Sequence, residues 1–276
     1  AGTNIITAAA VNIILPAVTD SANVAELELN GENMTLASVT LDNGGASMLD
    51  INLDGAADGG TRTMVFNGNI TAGAMTLDGQ NSDDIATLNA NINITGTNGD
   101  LDLDNNFGAI NLSGDGGTNT ISTTGGHGNI SLSTVTDSNV ASNLEVSTAA
   151  ATTSGDIIFS GPVSGVGYIT ANAGSTSGGN TGDVTINAAM TANDNNGAGL
   201  GVDIDATNNV AINDTVTTAD GGTATGIDIN AANGAVTFTS GALDADTNAS
   251  VTGASGVSMA SGSSITADGT VDVIAL

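Results

Sequence analysis

Asp100, Asp102 and Asp104 lie in the stretch GDLDLDNN, Asp203 and Asp205 in GVDIDATNN, and Asp228 in GIDINAANG. In the first two stretches carboxylates alternate with aliphatic residues. Alternate residues of an extended strand share a face, so each of these two sets acidic groups side by side. Oxygen-rich arrays of this kind suit calcium, which takes several carboxylate, amide and carbonyl oxygens. These six aspartates are the candidate metal ligands, with Ca2+ the expected ion. A solvated acidic face is the competing account at each of them. The calcium-binding nonapeptide GGxGxDxUx comes nearest at GGHGNISLS, residues 125–133, but Ile130 holds the ligand position and the match fails.

Carboxylates could also act as general acids, provided one has a raised pKa. Some β-helix enzymes cleave acidic polysaccharides in this way. Here the complementary groups are missing: no Lys, no Trp, one Arg, one His and one Tyr. An anionic glycan would find neither a cation nor a stacking surface, so the chain reads as non-enzymatic. His127 sits in a glycine turn with no second His or Cys, and one His supports no triad. Arg62, in GGTRTMVF, reads as a surface partner for a local Asp. Thr215 and Thr217, with Thr237 and Thr239 lying 22 residues on, suggest a threonine column of the ice-binding kind. That column stops at Ser258–Ala260, and ordinary β-propensity explains it.

The charge excludes whole classes of partner. Asp and Glu total 29, and the formal net charge is −28. Nucleic-acid affinity rests on Lys and Arg, and anionic membrane surfaces demand the same residues. Such a chain repels itself unless salt or divalent counter-ions intervene. The absence of Cys rules out a disulfide frame and thiolate metal sites. The start, AGTNIITAAAVNIILPAV, has the apolar length of a signal peptide without a positive n-region, and reads as a mature or excised N-terminus. The longest apolar run, 8–18, contains Asn12 and is too short to span a bilayer.

What must position these groups is a set of short strands. ELELN (26–30), MLDINLD (48–54), LNANINIT (88–95), NISLS (129–133), DIIFS (156–160) and VDVIAL (271–276) alternate apolar and polar residues. Period two marks a strand with one buried face. Glycine-rich breaks separate them at 43–45, 58–60, 114–117, 123–128, 176–180 and 219–222, and no stretch carries helical periodicity with start and stop signals. The chain is all-β.

A loose period runs through it. GVDIDATNNVAIN at 201 aligns with GIDINAANGAVTFT at 226, and a shorter form follows at 249–269. Periods of this length without helices define a β-solenoid in which inward side chains stack on their equivalents one coil on. Val202 is then expected beneath Ile227 and Ile204 beneath Ile229. Outward, Asp203 would lie beside Asp228 and Asp205 beside Asn230. Neighbouring carboxylates need water, a proton or a cation between them. We expect a single solenoid domain over 1–276, with 1–40 irregular or terminal and 155–276 most regular. It would be a parallel β-helix of 20–25 residues per coil, about a dozen coils and roughly 55–60 Å long at the strand spacing.

GDVTINAAMTAN (182–193), GNISLSTVTDSN (128–139) and the run from GAVTFTSG at 234 to 273 resemble the degenerate repeats of bacterial filamentous-haemagglutinin-type exoproteins and autotransporter passengers. The resemblance implies a right-handed parallel β-helix, export to the cell surface, and work as an adhesin or structural stalk. It supplies no active-site residues to carry over. An open terminal coil offers unpaired backbone groups to any strand, and both ends are apolar. Ile5, Ile6, Val271, Val273, Ile274 and Leu276 are therefore the candidate assembly interface, either with further copies in a head-to-tail homopolymer or with neighbouring parts of a larger surface protein. The expected function is a structural extracellular filament, stalk or surface-layer subunit. A monomeric adhesin segment is the alternative.

Overall fold

The computed structural model describes the chain apart from residues 1–2, 21–25, 42–45, 54–59, 80–82, 98, 105–106, 113–115, 138–141, 150–153, 175–181, 195–198 and 220–224, together with the side chains of 9–11. Most of the expected glycine-rich breaks lie wholly or partly outside the described residues; 123–128 is described. Every described element is a strand, and every strand pairing is parallel. The alternation is the cause. Strands such as Leu101–Leu103, Ile130–Leu132 and Val184–Ile186 bury their first and third residues and turn the middle one outward.

The chain winds through three sheets in a fixed order. One turn runs from Leu101–Leu103 to Ala109–Leu112 to Thr118–Thr123; the next runs from Ile130–Leu132 to Thr134–Asp137 to Asn143–Ser147. We label the sheets C, A and B in that order of passage. Sheet B has 11 strands, one per turn, sheet A has 13, and sheet C has seven. The difference arises at the N-terminal end. There the long strand Glu26–Leu36 pairs with Met48–Leu53 along one half and Thr63–Phe66 along the other, so the corner that later separates C from A is absent.

The repeat proves less uniform than a coil of about 22 residues. Successive sheet B positions are 21 residues apart from Val18 to Val39 and 33 apart from Ala171 to Ile204. Longer excursions between strands cost little, because loop-closure entropy grows only slowly with length. The stack is accordingly shorter than a dozen coils predicts: eleven strands at the usual spacing give about 50 Å.

Inward side chains form continuous columns. Val202 pairs with Ile227 and Ile204 with Ile229, as the repeat predicts. In sheet C a column passes from Leu132 through Phe159, Ile186 and Ile212 to Phe238. All four phenylalanines are fully buried. Phe66 stacks between Leu36 and Leu88, Phe159 between Leu132 and Ile186, and Phe238 between Ile212 and Met259, so the few aromatics are spaced among other apolar side chains.

Candidate functional site

The most regular polar feature is a corner. Gly99-Asp100, Gly128-Asn129, Gly155-Asp156 and Gly182-Asp183 each stand immediately before a sheet C strand. Two physical demands select this pair. A Cβ on Gly155 would lie 2.1 Å from the Gly128 carbonyl oxygen, and one on Gly128 would lie 2.5 Å from that of Gly99, so no larger residue fits between turns. The Asx side chain then reaches to the following turn. Asp100 Oδ1 accepts the Asn129 amide at 2.7 Å, Asn129 Oδ1 that of Asp156 at 2.8 Å, and Asp156 Oδ1 that of Asp183 at 2.9 Å. Asp183 Oδ1 accepts from Asn209 at 2.8 Å, and Asn209 Oδ1 accepts from Ala235 at 3.1 Å, where the ladder ends for want of a side-chain oxygen. Backbone carbonyls bond in the opposite sense, Asn129 O accepting from Leu101 and Asp156 O from Ile130. Buried threonines close the approach: Thr123 donates to the Gly128 carbonyl at 2.8 Å and Thr148 to that of Gly155 at 2.5 Å.

Removing one rung tests the ladder. Asn129→Ala leaves the Asp156 amide without its side-chain acceptor and is expected to cost about 1 kcal/mol, the usual net value of such a bond. Asn129→Asp keeps an acceptor but sets four carboxylates on consecutive rungs, so its cost should grow as salt is lowered. Urea midpoints at two ionic strengths measure both.

The predicted ligand residues separate into two places. Asp100 belongs to the ladder. Asp102 Oδ1 accepts the Asp104 amide at 3.0 Å, and Asp102 faces Ser131 one turn on. Asp100 and Asp102 line a shallow groove with Asn129, Ser131 and Asp156. Burial pushes the Asp156 carboxyl up; the Asp183 amide bond draws it back, and the Asp183 charge adds to the rise.

Asp203, Asp205 and Asp228 lie on the outer face of sheet B, paired as the repeat predicts: Asp203 with Asp228, Asp205 with Asn230. The second pair is satisfied, since Asn230 Nδ2 donates to Asp205 Oδ1 at 3.1 Å. The first juxtaposes two carboxylates. Half-buried Asp203 is pushed up to about 6, chiefly by burial, then by the charges of Asp205 and Asp228. Among the described residues no three His, Cys, Asp or Glu side chains gather in a group that could hold a metal ion.

Other expectations change. Arg62 is buried, not a surface residue. Its amide donates to Asp84 Oδ1 at 2.9 Å, its guanidinium reaches the Leu53 carbonyl at 3.5 Å, and Asp84 is itself fully buried. The two threonine pairs do not form one column: Thr217 pairs with Thr191 and Asp244 in sheet A, Thr237 with Ala211 and Ser258 in sheet C. Residue spacing alone had matched positions on different faces. His127 is exposed, with a left-handed φ of 57° in its glycine turn.

The candidate interface residues sit at the two ends. Val251 is fully buried, whereas Val273, its successor in the same column, is 47% exposed, with no further strand against it among the described residues. Val271, Ile274 and Leu276 are exposed beside it, as are Ile5 and Ile6 in the strand Thr3–Leu15.

Parallel strands stacked in three faces make this chain a parallel β-solenoid. Comparison with family models, with curated proteins and with solved structures returns no match. The resemblance to exoprotein repeats therefore holds at the level of the β-helix fold.

Proposed function

We propose that this chain is a structural segment, a stiff rod in an extracellular filament, stalk or surface layer, joined lengthwise through its terminal strands. One observation carries the reading. Among the described residues, every exposed large hydrophobic side chain belongs to the first or the last turn. The lateral faces carry polar side chains bonded from turn to turn, as in Asn213 Nδ2 to Asn187 Oδ1 at 2.8 Å. Among the described residues the flanks between those turns therefore carry no large apolar patch of the kind that marks a lateral docking site. Rungs bonded to each neighbour resist bending, which is the property a spacer needs.

Electron microscopy of the purified chain, paired with binding to glycan- and protein-coated surfaces, tests this. Straight rods about 50 Å long, or end-to-end multiples of that length, with no saturable retention, are expected. Saturable retention of single rods through their flanks would replace the structural reading with an adhesin.

A further inference from the structure

We infer that Arg62 is a sealed cleavage site, the one position at which a trypsin-like protease can cut this chain, and that the fork in sheet A is the latch that withholds it.

The chain holds one Arg and no Lys. An enzyme that demands a cationic side chain before the scissile bond therefore has a single target, the Arg62–Thr63 peptide bond. Hydrolysis adds water across that bond, leaving a carboxylate on Arg62 and a free amine on Thr63. The protease must first draw the Arg62 side chain into its own acidic pocket. It must also hold the flanking residues extended against its surface. Both requirements are blocked where Arg62 stands.

The fork sets the position. The strand Glu26–Leu36 pairs with Met48–Leu53 along one half and with Thr63–Phe66 along the other. The first branch ends at Leu53, and Arg62 stands immediately before the second. Its guanidinium reaches back to the Leu53 carbonyl at 3.5 Å, so one side chain spans both branches. Its main-chain N–H donates to Asp84 Oδ1 at 2.9 Å, and its carbonyl accepts from the Ile85 amide at 2.9 Å, both on the following turn. Across the scissile bond, the Thr63 amide donates to Asn33 Oδ1 on the preceding turn at 2.9 Å, and the Thr63 hydroxyl donates to the same oxygen at 3.1 Å. The bond is gripped from both neighbouring turns. Arg62 is 4% exposed, and Asp84, Met64 and Phe66 are fully buried.

The register explains why a cation fits here. The place just before the sheet A strand passes from Arg62 through Asp84 to Gly108 and Ser133 on later turns. There the corner between sheets C and A has formed and holds small residues, whereas at the fork the branches part and leave room for a long side chain. A buried charge is stable only with its partners in place, so Arg62 leaves its site only when the fork opens. Each turn of a solenoid touches only its neighbours, and opening is local. Cleavage then reports the opening of this fork.

Trypsin acting on the purified chain, followed by intact mass, provides the test. The wild-type chain is expected to be cut about a thousand-fold more slowly than a peptide spanning residues 57–68. Asp84→Ala leaves the Arg62 amide without its acceptor and should be cut roughly 10- to 100-fold faster than wild type, at the one bond and into fragments 1–62 and 63–276. Asn33→Ala releases Thr63 and should act in the same direction. It carries the test if Asp84→Ala loses the strand signature in circular dichroism. Gly155→Ala, several turns away, should leave the rate unchanged. A wild-type chain cut as fast as the peptide would overturn the proposal, because the site would be open. Resistance equal to wild type in both fork variants would overturn it too, since these contacts would then not be the seal. A Gly155→Ala chain cut as fast as the fork variants would show that cleavage follows unfolding of the whole chain, and no latch would remain.

Discussion

Gly155→Ala is expected to lower stability by about 3 kcal/mol, the upper part of the range for overpacking a tight site. The methyl carbon would lie 2.1 Å from the Gly128 carbonyl oxygen and 2.5 Å from its carbon, both backbone atoms of the preceding turn. Neither can swing aside as a side chain does. Relief requires the two turns to separate. That separation stretches the Asn129–Asp156 rung and the Ile130 amide to Asp156 carbonyl bond, which flank the contact. The backbone of Gly155 has no left-handed φ, so the cost is purely one of space. Gly174→Ala makes the control. Its Cβ would meet only the Asn172 side chain, whose oxygen at 2.7 Å can rotate away at the loss of its bond from the Gly174 amide, and its cost should be about 1 kcal/mol, the usual net value of such a bond. Urea denaturation of the two variants decides: equal midpoints would mean that the corner glycines are not spacing elements.

The same corner shows how much the residues disclosed. Strand identity and the pairings Val202–Ile227 and Asp203–Asp228 follow from alternation and a local repeat, because inward positions tolerate only aliphatics and the strand period is two. The motif glycine-Asx-apolar-x-apolar is equally present, in GDLDL, GNISL, GDIIF and GDVTI. Of its glycine-Asx pairs only Gly128 falls within a glycine-rich break and only Asp100 among the candidate ligands, so neither reading discloses the motif. The motif joins a steric demand to a hydrogen-bonding demand, and neither shows in hydropathy. Arg62 misled for a related reason: a lone cation in an acidic chain suggests the surface, yet a fully buried carboxylate at Asp84 favours keeping it inside. The threonine pairs failed because variable excursions break any simple equation of residue spacing with one turn. What marks the ends is not composition alone, for buried Val251 and exposed Val273 are the same residue type in the same column.

Asp203→Asn is expected to stabilise the protein at pH 7 and to lose that advantage near pH 4.5. The Asp203 carboxyl is raised from 3.8 to about 6, by burial first and then by Asp205 on its own strand and Asp228 on the next; Thr170, on the preceding turn, brings no opposing charge. Between those two values the folded chain holds a proton that the unfolded chain has released. Raising the pH through this window therefore lowers stability, and acidification from pH 7 to pH 5 restores it. Two pKa units correspond to nearly 3 kcal/mol, which solvent screening of a half-buried group reduces to about 1–2 kcal/mol. Asn at this position removes both the desolvation cost and the repulsion, so wild type and variant should converge as the pH falls, and thermal melts at pH 4.5, 6 and 7 follow the convergence. Calcium provides the last discrimination. An ion bridging Asp203 and Asp228 would raise the wild-type melting temperature at pH 7 and leave Asp203→Asn unmoved; a proton alone predicts no calcium response in either. A gap between wild type and variant that is constant with pH would show that the column is relieved by neither, and that its carboxylates stand far enough apart in water to ignore each other.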